Sequence, residues 1–137
     1  MTSHPYLRAY LAAIAVPTMF LPIGLSAFFV ARHAGLFPAA LERVIVFPMA
    51  AVPNLWGAWN ILYVALARRG LSWSIGAHGA ILPFLLVPAG VLLTQALRLD
   101  VFTPQRVAAV LPVAMILYYL VWKYAVGSLN RLLGVQS

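Results

Sequence analysis

From Val44 to Ala67 the chain runs without a charged residue. That is roughly the 20-odd positions a helix needs to cross the hydrocarbon core of a bilayer. The whole chain has the same character: 64% of its residues are hydrophobic and 8% charged, with a mean hydropathy of +0.97. A soluble domain carries roughly 25% charged residues, so the composition excludes one and points to an integral membrane protein. At 137 residues it has room for one domain of four crossings with short connections.

The central run is not uniformly apolar. It contains Pro53-Asn54-Leu55-Trp56-Gly57-Ala58-Trp59-Asn60. Lipid cannot hydrate the amides of Asn54 and Asn60, so each needs a protein, water or ligand partner. At about 100° per residue, Ala50, Asn54 and Ala58 share one stripe, and Pro53, Gly57 and Asn60 share its neighbour. Both stripes are small or polar and suit close packing against another helix. Trp56 and Asn60, one turn apart, can form one wall of a pocket. Two readings follow. Either the amides are interhelical glue and Trp56 and Trp59 fill space, or the stretch is a polar site near mid-membrane.

The same logic places helices over residues 9–31, 44–67, 71–97 and 107–126, the last with an extension toward Leu133. The fold class is all-α, a polytopic up-down bundle of four transmembrane helices with Pro-kinked segments. Arg8 followed by an apolar run resembles a secretory signal. The run is too long for one and contains Pro17 and Pro22, so an uncleaved first helix is expected. Arg68-Arg69-Gly70 ends helix two with a basic turn and a breaker, which makes helices two and three antiparallel neighbours. Ser72, Gly76 and Ala80 form a small face on helix three, whose expected mate is the small stripe of helix two. Lys123, the chain's single lysine, lies among Tyr118, Tyr119, Trp122 and Tyr124, as a cation snorkelling from an aromatic belt would.

Sliding the chain against itself by 66 positions aligns Pro17 with Pro83, Pro22 with Pro88 and Pro38 with Pro104. Gly24 then meets Gly90, Arg32 meets Arg98, and Trp56 meets Trp122. Two tandem helical hairpins, related by an axis along the membrane normal, would produce that pattern.

Charge and chemistry narrow the function classes. The formal charge of +7 comes from side chains scattered at helix ends, with no basic cluster or interleaved aromatic stripe, so nucleic acid is not a partner. The charge fits topology determination and anionic headgroups instead. With four crossings, Arg8, Arg68, Arg69, Lys123 and Arg131 fall on one side and Arg32, Arg43, Arg98 and Arg106 on the other. The expected setting is a bacterial-type inner (cytoplasmic) membrane with both termini in the cytoplasm. No cysteine is present, which removes thiolate metal sites and thiol redox chemistry.

Glu42 and Asp100, the only carboxylates, lie in connections, so neither is an intramembrane proton-coupling acid. Beside Arg32, His33, Arg43, Arg98 and Arg106 they form a candidate ionic rim on one side of the bundle. No spacing of His, Asp or Glu suits a metal. No catalytic residue is assigned and no cofactor is expected. His78 is the one candidate for single axial haem ligation, against a structural imidazole bonded to Ser74 or Asn60. Ser74 and His78 are one turn apart, but no acid lies near to orient the imidazole, so an enzyme is the weakest class.

The leading expectation is a homo-oligomeric channel or facilitative transporter for a small neutral or anionic solute. Its pathway would be lined by Asn54, Trp56, Trp59, Asn60, Ser74, His78 and Lys123. The alternative is an accessory or assembly subunit of a larger membrane complex, binding a partner helix, lipid or quinone. A membrane enzyme acting on a lipid or isoprenoid through Ser74 and His78 is the third.

Overall fold

A computed structural model of the chain describes residues 4–36, 46–71, 73–96, 98 and 103–135. Among them there are helices and connections but no strand. In chain order they are α1 (Pro5–His33), α2 (Val46–Arg68), α3 (Ile75–Ile81), α4 (Pro83–Ala96), α5 (Pro104–Val121), a π-helical turn (Trp122–Val126) and α6 (Gly127–Leu132). Among the described residues, three stretches are long and apolar enough to cross a bilayer: Pro5–His33, Ile75–Ala96 and Pro104–Leu132.

Local sequence sets the ends. Pro5 and Pro104 occupy the first helical turn, where a missing N–H costs nothing and a fixed φ is already helical. The Thr103 hydroxyl accepts from the Arg106 N–H at 3.3 Å, and the Ser74 hydroxyl accepts from the Ala77 N–H at 3.1 Å. At the end of α2 the Leu71 N–H reaches back to the Leu66 carbonyl at 3.0 Å, closing around Gly70 at φ +80°. Only a residue without Cβ takes that left-handed turn easily. Gly134 at φ +65° closes α6 the same way and returns Val135 to the core.

The third apolar segment, expected as one helix over 71–97, is broken at Leu82. Pro83 lacks an N–H and its ring crowds the carbonyl one turn back, so the Leu82 N–H tightens onto the Gly79 carbonyl at 3.1 Å. The fourth starts earlier than expected and continues past residue 126 to Leu132 through the π turn. Four-residue steps drift by about 40° on a regular α-helix. The π turn winds in extra residues and removes that drift, so Trp122, Val126 and Asn130 are all buried.

The expected marriage of two small faces does not occur. Gly57 of α2 is covered by the Tyr10 ring of α1, while Gly76 and Gly79 of α3 lie under Tyr119 and Trp122. The close helix approaches are α1 on α2 and α3 on α5. A glycine here admits an aromatic ring rather than another glycine, because a ring fills more of the gap between helices. Ser72 lies outside the described residues.

The start of α1, the end of α6 and the end of α2 gather at one end of the bundle. Arg8 donates to the Leu133 carbonyl at 3.3 Å, and the Arg68 guanidinium lies 5.3 Å from the Tyr6 ring centre. This half is well packed around Ala13, Val16, Trp56, Leu82, Trp122 and Val126. In α5 no residue before the π turn is buried.

Candidate functional site

The interior of the packed half holds two separate hydrogen-bonded polar sets. In the first, Asn60 of α2 and Asn130 of α6 face each other through their amides. Asn60 Nδ2 donates to Asn130 Oδ1 at 2.8 Å and to the Ala9 carbonyl at 2.7 Å, and Asn130 Nδ2 donates to Asn60 Oδ1 at 3.1 Å. Both side chains are buried. The carbonyl of Ala9 thus ties α1 to the pair.

The second set is built on His78, which is 1% exposed. Its Nδ1 accepts from the Trp73 indole N–H at 3.2 Å, which leaves the ring proton on Nε2. Nε2 then donates to the Trp59 carbonyl at 2.9 Å, and the Trp59 indole N–H returns a bond to the His78 carbonyl, also at 2.9 Å. Trp59 stacks on the imidazole with ring centres 4.7 Å apart, and Tyr63, Trp73 and Trp122 close the cage at 5.2, 5.9 and 5.9 Å.

These contacts correct several expectations. The partners of His78 are Trp59 and Trp73, not Ser74 or Asn60. Both ring nitrogens are engaged, so the lone pair an axial haem ligand would present is already in use. The Ser74 hydroxyl caps α3 at the exposed start of the helix, and no nucleophile–base pair exists between it and His78. The seven proposed pathway residues do not share a seam. Trp56, Asn60 and His78 are buried and Trp59 is half-buried. Asn54, Ser74 and Lys123 are exposed. Asn54 accepts from the Tyr10 hydroxyl, and Lys123 Nζ lies between the rings of Tyr119 and Tyr124, 5.6 and 5.3 Å from their centres. Of the two stripes on α2, Pro53–Gly57–Asn60 faces inward, while Asn54 and Ala58 face outward.

Arg32, His33, Arg98 and Arg106 lie at helix ends on the side of the bundle away from Arg8, Arg68 and Leu133. Glu42, Arg43 and Asp100 lie outside the described residues. Among the described residues no group of three or more His, Asp or Glu gathers. Sequence reasoning missed Tyr10, Tyr63, Trp73 and Asn130. For Asn130 a signal existed: it is the third and last asparagine of the chain and continues the four-residue stripe of Tyr118, Trp122 and Val126.

Beside these sets lies a cavity of about 370 Å³ between α1, α2 and α5, walled by Pro17, Leu21, Gly24, Val52, Trp56 and Tyr118. Its rim includes the exposed Phe20 and Leu117, so it opens to the outside of the bundle. A second cavity of about 460 Å³ lies between α4 and α5, with Gln95 as its polar side chain. Deep in the core the ring centres of Trp56 and Trp122 are 5.3 Å apart, and the Trp122 indole N–H has no hydrogen-bond partner among the described residues.

The chain matches no protein-family model, no curated protein and no solved structure.

Proposed function

We propose that this is a four-span integral membrane protein of the accessory or ligand-holding class, which works by lateral recognition inside the bilayer. The observation that carries the reading is the apolar cavity between α1, α2 and α5, open to the side of the bundle. The polar interior supports it too, because the two asparagine amides are used up on each other and on the Ala9 carbonyl, and the imidazole on the Trp73 indole and the Trp59 carbonyl. Trp56 and Trp122, packed against each other at a tilt, fill the centre of the protomer with Leu82, where a conduit would have to pass. The spans are α1, α2, α3 with α4, and α5 with α6. The second is less apolar because it carries asparagines, tryptophans and prolines, of which Pro53, Trp56 and Asn60 serve the interior.

A duplicated hairpin is part of this proposal. Trp56 and Trp122, equivalent under the 66-residue offset, meet near the bundle centre. Ala13 and Trp56 share the central layer, and their equivalents Gly79 and Trp122 touch. An approximate two-fold axis between the two indoles accounts for all four positions.

Native mass spectrometry of the protein released from nanodiscs tests the class. A retained lipid-soluble molecule or partner chain is expected, and proteoliposomes should pass chloride and glycerol no faster than protein-free vesicles. Flux above that background, lost in Asn54→Leu and Lys123→Met, would favour the second reading, a homo-oligomeric facilitator. The observation on its side is that Asn54 and Lys123 present polar groups on the outside of the bundle, where a second copy would meet them.

A further inference from the structure

We infer that the lipid-facing side of α5 receives a transmembrane helix of another protein, with Lys123 paired to a carboxylate that this helix carries near mid-membrane. The inference rests on the four-span, lateral-recognition reading above and names the partner's chemistry.

Lys123 lies deep. Trp56 stands about 15 Å along α2 from Val46 and about 18 Å from Arg68, at 1.5 Å per residue. In a hydrocarbon core about 30 Å thick that is close to the midplane. Trp122 packs on Trp56 with ring centres 5.3 Å apart, and Lys123 is the next residue of the same helix. Arg131, which marks the near end of the bundle, is about 12 Å further along. The lysine does not turn toward that end. Its Nζ lies 5.6 Å from the centre of the Tyr119 ring, one turn back toward the middle of the span, and 5.3 Å from that of Tyr124. Long side chains on a helix lean in that direction, toward its N-terminus.

Its counter-charge is missing. Lys123 is exposed, and its contacts among the described residues are those two neutral rings. Rings attract an ammonium without neutralising it, and a cation in hydrocarbon is costly unless it meets an opposite charge. This chain supplies none at that depth. Its two carboxylates, Glu42 and Asp100, come before the starts of α2 at Val46 and α5 at Pro104, and Pro104 is about 28 Å along the helix from Lys123. A second copy in the same orientation brings only another lysine to this level. Phospholipid phosphates stay at the headgroups, roughly 15 Å from the midplane. A carboxylate on a helix of another chain reaches the right depth.

The face around Lys123 suits such a helix. Val113, Ile116, Leu117, Leu120, Lys123 and Tyr124 follow one another at helical spacing along one stripe, and all are exposed. The other side of the same helix rests on α3, with Tyr119 over Gly76 and Trp122 over Gly79. A partner laid along the stripe therefore leaves the bundle's own contacts in place.

The test uses the whole protein in phosphatidylcholine nanodiscs with a leucine–alanine transmembrane peptide carrying one aspartate at its centre. The same peptide with leucine there is the comparison. Binding is read by energy transfer from the chain's four tryptophans to an acceptor on the peptide. The aspartate peptide should bind roughly 5- to 30-fold more tightly than the leucine peptide. Lys123→Met should bring the two peptides level and Lys123→Arg should keep the preference. Neither should lower the thermal unfolding midpoint, because the side chain is exposed. Lys123 is the chain's single lysine, so ¹⁵N-lysine spectra of the parent protein report one site. Its resonance should move with the aspartate peptide and not with the leucine peptide. Equal binding of the two peptides, or a preference undiminished in Lys123→Met, overturns the inference. So does broadening of the lysine resonance by a water-soluble relaxation agent without peptide, which would put the ammonium among the headgroups. Phosphatidylglycerol moving the resonance as the aspartate peptide does would make the occupant a lipid. Energy transfer between copies that Lys123→Met abolishes would make it a second copy, and either result overturns the partner helix. A molecule retained equally by Lys123→Met and the parent in native mass spectrometry keeps the lateral reading standing when the partner helix falls.

Discussion

Asn60 and Asn130 exchange two amide hydrogen bonds across the bundle, 2.8 and 3.1 Å long, although 70 residues separate them. The pair joins α2 to α6, and the spare Asn60 N–H takes in α1 through the Ala9 carbonyl. Three of the packed segments are therefore tied at one buried point. Each group has a partner, which is the condition for tolerating amides away from water.

Replacing one amide leaves its partner stranded. Asn60→Leu should cost about 1–3 kcal/mol, because the Asn130 amide and the Ala9 carbonyl lose their partner together. The double variant Asn60→Leu with Asn130→Leu should lose less than the sum of the single losses, with a coupling of at least about 0.5 kcal/mol. Reversible unfolding in mixed micelles with increasing dodecyl sulfate measures both. Simple additivity would show that the pair is not formed in the membrane.

His78 should exist as one tautomer, with its proton on Nε2, because Nδ1 accepts from Trp73 and Nε2 faces the Trp59 carbonyl. The two ring nitrogens have well-separated ¹⁵N shifts in that state. Solid-state spectra of labelled protein in lipid should show one proton-bearing and one bare nitrogen, and an averaged pair of shifts would contradict the cage. His78→Leu should cost about 1–3 kcal/mol through the stranded Trp73 N–H and Trp59 carbonyl.

Two glycines make a matched test of packing. A Cβ on Gly79 would lie 2.0 Å from Trp122 Cγ, whereas one on Gly90 meets nothing within 4 Å. Gly79→Ala should therefore destabilise by about 1–3 kcal/mol as the indole is pushed from its place. Gly90→Ala should be neutral or stabilising by up to about 1 kcal/mol, since alanine is the better helix former. Equal effects at the two positions would mean that Trp122 does not sit over α3.

Topology can be read by cysteine labelling, because the chain has no cysteine of its own. With four crossings, Arg69→Cys and Leu133→Cys should react with an impermeant maleimide from one face of the membrane and Ala34→Cys from the other. Reaction of all three from one face would remove the four-span arrangement. The same experiment in intact cells and in inverted vesicles assigns the cytoplasmic side.

Much of the architecture follows from local chemistry alone. The absence of charge over long runs gives helices long and apolar enough to cross a membrane, and Pro5, Ser74, Thr103 with Pro104, and Gly70 set where several of them begin and end. None of these signals needs a distant residue. The choice between inside and outside was another matter. In a soluble helix the apolar face marks the core, but in lipid both faces are apolar and hydropathy no longer separates them. Asn54 and Asn60 look equivalent in sequence. Their fates differ because Asn130 and Ala9 lie opposite one, and Tyr10 at the surface lies opposite the other.

The tertiary structure also decided what surrounds His78. Trp59 and Tyr63, Trp73, and Trp122 come from three parts of the chain and converge only when α3 packs between α2 and the π turn. That turn is itself a tertiary choice, for it brings Trp122 and Asn130 to the same face, where a regular helix would carry them apart. The sequence alone determined that this chain is built of long apolar helices compatible with a bilayer, and roughly how it is divided. Packing determined which of its few polar atoms are satisfied, because partners far apart in sequence are chosen by shape rather than by hydropathy.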